Sequence, residues 1–314
     1  MRILIVGPGA VGLALCYALS RNNKVFLGVA KRHLREISEG FRVVLPNGIE
    51  TFVKVPVITI EPRAPRIQCF DVVIIAVKMP HLLEALEEVK DVVGIETVVL
   101  TVQNGWDPHG LAIEFFGHRA IHAILTIGAR RIDGGVEVCS WGEAFLGSRL
   151  GLNKYVRKAL QVFGASPIKC SLVSDIDKWI WIKLAINAAI NPITALLRIP
   201  NGLLIMKELY ELSHIVVEEV KEVASRCLGI EIGDEVHKLL DQVMISTSRN
   251  RSSMLQDVER GRKTEIEFIN GAIVEIAKHC GAKADANYVL LQLIKGLERV
   301  LSRGALHSIS DIRR

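Results

Sequence analysis

Three strongly hydrogen-bonding side chains recur every fourth residue in an otherwise apolar segment. They are Lys183, Asn187 and Asn191, within the sequence KLAINAAINP. Residues four apart lie nearly above one another on a helix, so the spacing predicts one polar face. Burying an ammonium and two amides is costly unless a polar group docks there, which favours a small polar ligand. The alternative is a stripe facing solvent, for which Lys or Glu would serve better than Asn, a poor helix former.

Further polar residues follow in the second half, in the sequences SSMLQD and TEIEFING. Ser253 lies in the first, and Glu265 in the second is a carboxylate beside apolar Ile266. The alternative is a set of surface ion pairs. The acids would be Asp257, Glu259, Glu265 and Glu267, and the bases Arg260, Arg262 and Lys263.

A glycine-rich loop at the start of the chain predicts a dinucleotide site. Residues 1–7 read as a buried strand, a helix follows over residues 11–20, and a second strand over residues 24–29. The loop between is a GxGxxG motif in the strand–loop–helix–strand context that the motif requires. Its residues are Gly7, Pro8, Gly9, Ala10, Val11 and Gly12. A glycine-rich turn without a ligand is the alternative.

The end of the second strand bears on the choice of cofactor. NAD-binding folds usually place an acid there for the ribose hydroxyl. This chain has Lys31 and Arg32 instead, and no acid until Glu36. Two cations favour a 2′-phosphate, hence NADPH over NADH, although basic residues also begin ordinary surface helices.

Two more polar residues stand at predicted strand ends. Lys78 follows the apolar strand at 71–77, and Asn104 follows the strand at 96–102. Ligands of open α/β sheets bind beyond the carboxyl ends of strands, so both are candidates to frame cofactor and substrate.

The pattern of elements predicts two domains in 314 residues. Alternating strands and helices indicate an α/β Rossmann-type N-terminal domain over residues 1–170, and helical spacing indicates an all-α C-terminal domain over residues 171–314. A hairpin is predicted around residues 46–48, with strands at 122–128 and 135–147 closing the sheet. Helices are predicted at 175–191, 207–227, 233–247 and 253–279.

Composition narrows the class of protein. The net charge of +5 is mild and dispersed, so nucleic acid is not expected as a partner. We expect no membrane span and no signal peptide, because residues 1–12 already form the cofactor motif, and hence a cytoplasmic protein. Six scattered cysteines and nine histidines lack a metal-ligand pattern, so no metal is predicted. Buried free thiols are expected, with a disulfide left open for a hyperthermophile.

Together these motifs resemble the ketopantoate reductase (2-dehydropantoate 2-reductase) family. The resemblance spans nearly the whole chain and includes the glycine loop, Lys78, the QNG of residues 103–105, the Lys183 helix and both later segments. It implies a Rossmann domain followed by a helical domain, with the active site in the cleft between them. It also implies NADPH-dependent reduction of ketopantoate to pantoate on the route to coenzyme A, with NADH as a second option.

The resemblance assigns roles to matching positions. Lys183 corresponds to the general acid, and Glu265 to the carboxylate that binds the substrate hydroxyl side and positions the lysine. Asn187, Asn191 and Ser253 match substrate positions, Asn104 matches a residue near nicotinamide and substrate, and Lys78 matches a cofactor-side lysine. Trp106 departs from the family, which more often has a smaller aliphatic residue there, and this bears on the shape of the cleft.

Two other functions stay open at this stage. One is a related hydroxyacid dehydrogenase acting on another 2- or 3-oxo acid. The other is a non-catalytic NADP-sensing protein, which would not need Lys183 and Glu265. A homodimer is compatible with the apolar helices, which could equally form an internal core.

Overall fold

The structure, a computed structural model, describes residues 1–60 and 70–302 in two units, Met1–Ile176 and the residues from Asp177 onward. Cys69 lies outside the described residues. The strands, all in the first unit, are β1 (Arg2–Val6), β2 (Lys24–Val29), β3 (Phe41–Val44), β4 (Glu50–Val53), β5 (Val57–Thr59), β6 (Val72–Ile75), β7 (Val98–Thr101), β8 (Ala120–Leu125), β9 (Gly128–Ile132), β10 (Gly135–Ser140), β11 (Glu143–Gly147) and β12 (Lys169–Leu172).

Eight of these strands form the main sheet of the first unit. Their order is β12-β11-β8-β7-β6-β1-β2-β5, and all neighbours are parallel except β8 and β11. The central strands are continuous apolar runs because helices cover both faces of a parallel sheet. The order reverses between β1 and β6, and such a switch point is where open α/β sheets bind ligands.

A second sheet has the order β4-β3-β10-β9. The predicted hairpin is β3 with β4, paired antiparallel from Phe41 opposite Val53 to Val44 opposite Glu50. The predicted strand at 135–147 is in fact two strands, since β10 joins this second sheet and β11 returns to the main one. Tyr17, in the helix that follows β1, stacks on Trp141, the residue directly after β10, with ring centroids 5.7 Å apart.

Helices of the first unit cover the main sheet. They are α1 (Ala10–Ser20), α2 (Leu34–Ile37), α3 (Leu82–Glu88), α4 (Pro108–Phe116) and α5 (Lys154–Val162). Leu13, Leu15 and Leu19 of α1 are fully buried in the core of this unit.

The second unit is helical in its described part. Its helices are α6 (Ile176–Leu197), α7 (Lys207–Leu228), α8 (Glu235–Ser246), α9 (Ser253–Glu259), α10 (Asn270–Cys280) and α11 (Asp285–Ser302). The single helix predicted over 253–279 is interrupted. Gly261 has a φ of +61° directly after α9, a conformation that glycine adopts without strain. The Thr264 amide then donates to Glu298 Oε1 at 2.7 Å instead of continuing a helix.

Helix α6 is long and apolar enough, by length and composition, to cross a membrane. However, 72% of its most apolar 18-residue stretch is buried inside the protein. Such burial is typical of the core helix of a folded domain, and Asp177, Lys178 and Lys183 interrupt its apolar sequence.

Candidate active site

The glycine loop makes a tight connection between β1 and α1. Gly7 has a φ of +111° and donates its amide to the Gly28 carbonyl at 3.0 Å. A Cβ at Gly12 would stand 2.0 Å from the Gly7 carbonyl oxygen. Only glycine at residue 12 therefore lets the helix approach the strand this closely.

Gly9 is different, because the protein itself leaves room for a side chain there. A Cβ at Gly9 would meet nothing closer than the Ala76 carbonyl oxygen at 3.8 Å. Gly9 is also the N-cap of α1 and has no side chain to satisfy the first helical amides. An exposed, uncapped helix start fits a pyrophosphate, which takes its hydrogen bonds from backbone amides. Pro8, Ala10 and Val11 complete the loop and are partly buried.

Lys78 and Asn104 follow the neighbouring strands β6 and β7. Residues 76 and 77 touch the loop, since a Cβ at Gly7 would lie 3.0 Å from the Val77 nitrogen. Lys78, the next residue, is exposed, and Asn104 is half-buried. The structure thus brings the glycine loop and the end of β6 together at the switch point, as the sequence predicts.

Gln103 is a positioning residue that the sequence pattern did not single out by itself. Its Nε2 donates to the carbonyls of Ile75 at 2.7 Å and Val77 at 3.0 Å, and its Oε1 accepts from the Val102 amide at 3.1 Å. One buried amide therefore joins the ends of β6 and β7 and fixes the strand ends that carry Lys78 and Asn104.

Lys31 and Arg32 begin a short 3₁₀ turn directly after β2, and both are exposed. The nearest following acid, Glu36, is ion-paired with Arg131 and lies 3.6 Å from His33 Nδ1. Among the described residues, no carboxylate forms an ion pair with Lys31 or Arg32 within 4.0 Å, so the positive charge at this strand end is available to an anion.

Trp106 is held at the end of β7 by a charged pair. The Arg149 guanidinium lies 5.0 Å from the Trp106 ring centroid, and Arg149 Nη1 contacts Asp107 Oδ2 at 2.5 Å. Asp107 also caps α4 by accepting from the Gly110 amide at 3.0 Å. The indole that departs from the family pattern is thus fixed in place by these contacts.

The second unit carries the polar face predicted on α6. Asn191 is 5% exposed, and Lys183 and Asn187 are half-buried. Ile182, Leu184 and Ile190 are buried around them. Burial lowers the pKa of Lys183 from 10.5 to about 8, and the charge of Glu265 opposes that shift. This ammonium can therefore release a proton near neutral pH.

Glu265 lies directly after a residue that is fixed by hydrogen bonds. Thr264 Oγ1 and the Thr264 amide both donate to Glu298 Oε1, at 2.6 and 2.7 Å. The surface pairs considered above fit Glu267, which lies 2.8 Å from Lys295 Nζ and 3.4 Å from Lys263 Nζ. Glu265 acts electrostatically on Lys183, because its negative charge raises the pKa of that lysine.

Ser253 is exposed at the start of α9, next to a hydroxyl pair. Ser252 caps α9 by accepting from the Leu255 amide at 3.1 Å, and its Oγ lies 2.8 Å from Thr194 Oγ1 on α6. This pair fixes the start of α9 against the end of α6, so Ser253 has a defined position relative to the polar face.

Asn201 is a further candidate that the spacing pattern did not reveal. It is 7% exposed, and its Nδ2 donates to Thr247 Oγ1 at 2.9 Å. Its Oδ1 has no hydrogen-bond partner among the described residues. A buried acceptor left open is unusual in a folded protein and marks a ligand-binding candidate. Only its polarity in an apolar stretch could have indicated it.

Solved structures of similar fold cover nearly the whole chain. A D-mandelate dehydrogenase bound to NADH and anilino(oxo)acetate superposes with a TM-score of 0.88 at 24% identity, covering 96% of this chain and 99% of that one, which shows the fold alone. A probable 2-dehydropantoate 2-reductase from Bacillus subtilis gives 0.79 at 27% identity, covering 95% and 100%.

Sequence relatives and family models agree with each other. The 2-dehydropantoate 2-reductase of Pyrococcus abyssi is 35% identical over 95% of this chain and 98% of its own length. That of Aquifex aeolicus is 31% identical over 95% and 97%. The model of ketopantoate reductase PanE/ApbA matches residues 3–150, and the model of its C-terminal part matches residues 175–298. The chain therefore belongs to the ketopantoate reductase PanE/ApbA family.

Proposed function

We propose that this chain reduces 2-dehydropantoate to pantoate with NADPH as the hydride donor. The observation that carries the proposal is Lys183, a half-buried lysine with a lowered pKa, which feels the charge of Glu265 and shares one helix face with two asparagines. An NADP-sensing protein would have no use for this arrangement. The names of the relatives supply the substrate.

The proposed chemistry needs a proton at a defined atom. The reduced nicotinamide, when bound, supplies hydride to the ketone carbon of the 2-oxo acid. Negative charge then grows on the carbonyl oxygen, and Lys183 in its ammonium form stabilises this charge and gives up its proton to that oxygen. Glu265 keeps the lysine protonated, because a nearby negative charge favours the charged form.

Uncharged polar groups suit the rest of the substrate. Asn187, Asn191 and Ser253 offer donors and acceptors to its carboxylate and hydroxyl without introducing another full charge. In the first unit, we assign Asn104 to the region of nicotinamide and substrate. Lys78 and the glycine loop are assigned to the cofactor.

The preference for NADPH rests on the charge at the end of β2. Lys31 and Arg32 are exposed, and Glu36, the acid that could compete for them, is engaged by Arg131. A ribose 2′-phosphate would find two cations there, whereas among the described residues the acid that follows β2, Glu36, is already paired and so is not available to a ribose hydroxyl.

The direct test is loss of reduced-nicotinamide absorbance with ketopantoate, comparing the wild type with Lys183→Ala. We expect kcat to fall by about 10²- to 10⁴-fold, the usual value of a general acid. Lys178→Ala is the matched control, because Lys178 lies on the same helix and pairs with Glu235. Near-normal turnover in Lys183→Ala would refute the assigned role.

A panel of 2-oxo acids tests the identity of the substrate. Ketopantoate should give the highest kcat/KM, because the asparagines and Ser253 match its hydroxyl and carboxylate. Higher efficiency with an unbranched or phenyl-substituted 2-oxo acid would assign the chain to a related hydroxyacid dehydrogenase instead, and Trp106→Leu should then shift the preference back toward ketopantoate.

We further propose a homodimer in the cytoplasm. A ketopantoate reductase from Staphylococcus aureus is described as dimeric. Helix α11 of this chain exposes Val289, Leu293 and Val300, each about half exposed and spaced to share one face. Light scattering of the wild type and Leu293→Glu checks the assignment, and a monomeric wild type at micromolar concentration would contradict it.

A further inference from the structure

Helix α6 contains a proline within the turn that carries its two asparagines. Pro192 has no amide hydrogen, so it cannot donate to the carbonyl of Ala188 four residues earlier. Ala188 is fully buried and adjoins Asn187, and Pro192 adjoins Asn191. The helix therefore lacks one hydrogen bond at the turn that presents the proposed substrate-binding amides.

A side chain from another helix supplies the missing donor. Asn270 Nδ2, at the start of α10, donates to the Ala188 carbonyl oxygen at 3.1 Å. Asn270 is fully buried, with 0% exposure. A buried carbonyl without a partner is costly, so this contact satisfies a requirement that the proline itself creates.

The amide of Asn270 is in turn held by a buried chain of hydrogen bonds. Its Nδ2 also donates to Asn287 Oδ1 at 3.0 Å, and Asn287 Nδ2 donates to Glu219 Oε2 at 2.8 Å and to the Val216 carbonyl at 3.4 Å. This series of hydrogen bonds ends in an acceptor on each side, the Ala188 carbonyl on α6 and the Glu219 carboxylate on α7. Every side-chain amide hydrogen of the two asparagines thus has an acceptor, which fixes their orientation, while Asn270 Oδ1 has no hydrogen-bond partner among the described residues.

Glu219 connects this series of hydrogen bonds to the start of α11. Its carboxylate accepts from the amides of Ala286 at 2.8 Å and Asn287 at 3.0 Å, in the first turn of α11. Carboxylates are favoured at helix N-termini, so Glu219 is held firmly. The Ala188 carbonyl is thereby connected through Asn270 and Asn287 to two further helices.

We propose that Asn270 is a positioning residue for the reaction: by occupying the Ala188 carbonyl, it sets the orientation of the α6 turn that carries Asn187 and Asn191. This inference rests on the proposed function, because it takes these two asparagines as substrate ligands. Asn270 itself makes no contact with substrate and acts through the backbone of α6.

The decisive experiment replaces Pro192, because this proline is the reason that the Ala188 carbonyl needs a donor from another helix. Asn270→Ala leaves the Ala188 carbonyl unsatisfied and should raise KM for ketopantoate about tenfold, the usual scale of one buried hydrogen bond, with KM for NADPH unchanged. The double variant Asn270→Ala/Pro192→Ala restores an amide donor at residue 192 and should recover most of the lost affinity. Equal KM values for the single and double variants would overturn the proposal.

A control separates positioning from general loss of stability. Ile273→Ala removes a fully buried apolar side chain from the same helix, and this side chain has no group that could take part in the hydrogen bonds of Asn270. It should lower Tm but leave KM for ketopantoate within about twofold of the wild type, as for a substitution away from the site. A rise in KM equal to that of Asn270→Ala would show that destabilised α10 alone explains the effect, and would overturn the proposal.

Hydrogen exchange of α6 provides a readout that is independent of activity. In Asn270→Ala the amides around residues 188–191 should exchange faster, and in the double variant they should regain protection. Unchanged exchange would refute the role of Asn270. A different result would refute the proposed function: exchange is faster in Asn270→Ala, but Asn191→Ala leaves the kinetics with ketopantoate unchanged. The asparagines of α6 would then not be substrate ligands.

Discussion

The charge of Glu265 opposes the effect that burial has on Lys183. Burial lowers the pKa of the lysine to about 8, and the carboxylate holds it from falling further. The sequence separates the two residues by more than eighty positions, yet Thr264 and Glu298 fix the segment that carries Glu265. The protonation state of the proposed general acid is therefore set by two groups of one helical unit.

Activity should fall as the pH rises through about 8, the pKa of Lys183. The acid must be protonated to act, and kcat/KM reports the free enzyme. Glu265→Gln removes the group that raises this pKa, so the fall in kcat/KM should begin at a lower pH. Full pH profiles of both proteins with ketopantoate test this.

Glu267→Gln is the matched control for that profile. Glu267 lies two residues away and forms ion pairs with Lys263 and Lys295 at the surface. Its removal should leave the pH profile of the wild type. Superimposable profiles for Glu265→Gln and the wild type would contradict the proposed coupling.

Cofactor choice should depend on Lys31 and Arg32. Arg32→Ala is expected to raise KM for NADPH about ten- to a hundredfold if it holds the phosphate, since that is the range of one charged hydrogen bond. KM for NADH should stay unchanged. Lys31→Ala, measured in parallel, identifies which cation carries the contact. Arg35→Ala, an exposed cation of α2, is the control. Equal losses with both cofactors would contradict a phosphate-specific role.

Two glycines of the loop should respond in opposite ways to the same substitution. Gly12→Ala places a Cβ 2.0 Å from the Gly7 carbonyl, so we expect a loss of about 1–3 kcal/mol in the free energy of unfolding. Gly9→Ala meets protein atoms only at 3.8 Å and should leave stability nearly unchanged, within about 0.5 kcal/mol. It should nevertheless raise KM for NADPH. Denaturant unfolding checks the two predictions on stability, and steady-state kinetics check the prediction on NADPH. Normal NADPH binding by Gly9→Ala would contradict the assignment of the glycine loop to the cofactor pyrophosphate.

Local patterns predicted the parts of the site that lie within one element. The glycine loop with its strand and helix, and the four-residue spacing of Lys183, Asn187 and Asn191, are properties of short segments. Helical and strand periodicity place such residues on one face without knowledge of the remaining chain. The two-part architecture of an α/β unit followed by helices could be predicted for the same reason.

Contacts between distant segments could not be predicted from these patterns. β3 pairs with β10, about ninety residues away, and its periodicity is equally compatible with the main sheet. The Ala188 carbonyl requires a partner because of Pro192, but nothing local identifies Asn270 as that partner. The helix predicted over residues 253–279 has suitable apolar spacing, and the Glu298 carboxylate that helps interrupt it comes from α11.

Cysteine pairing is another case in which distance along the chain conceals a contact. Buried free thiols were expected, and Cys16 is one, but Cys227 and Cys280 form a disulfide. Their Cα atoms are 5.5 Å apart, and 53 residues separate them. The bond joins the end of α7 to the end of α10, so the closed loop includes Ser253, Glu265 and Asn270.

Removal of this disulfide should destabilise the helical unit. Closing a loop of this length restricts the unfolded chain, which corresponds to about 4 kcal/mol in the loop-entropy model, or roughly 14 °C in Tm for a unit of this size. We expect Cys227→Ser/Cys280→Ser to show this loss in thermal unfolding, and reductant to produce it in the wild type alone. Cys139→Ser, at an exposed free thiol, is the control. An unchanged Tm in the double variant would contradict the predicted stabilisation by this bond.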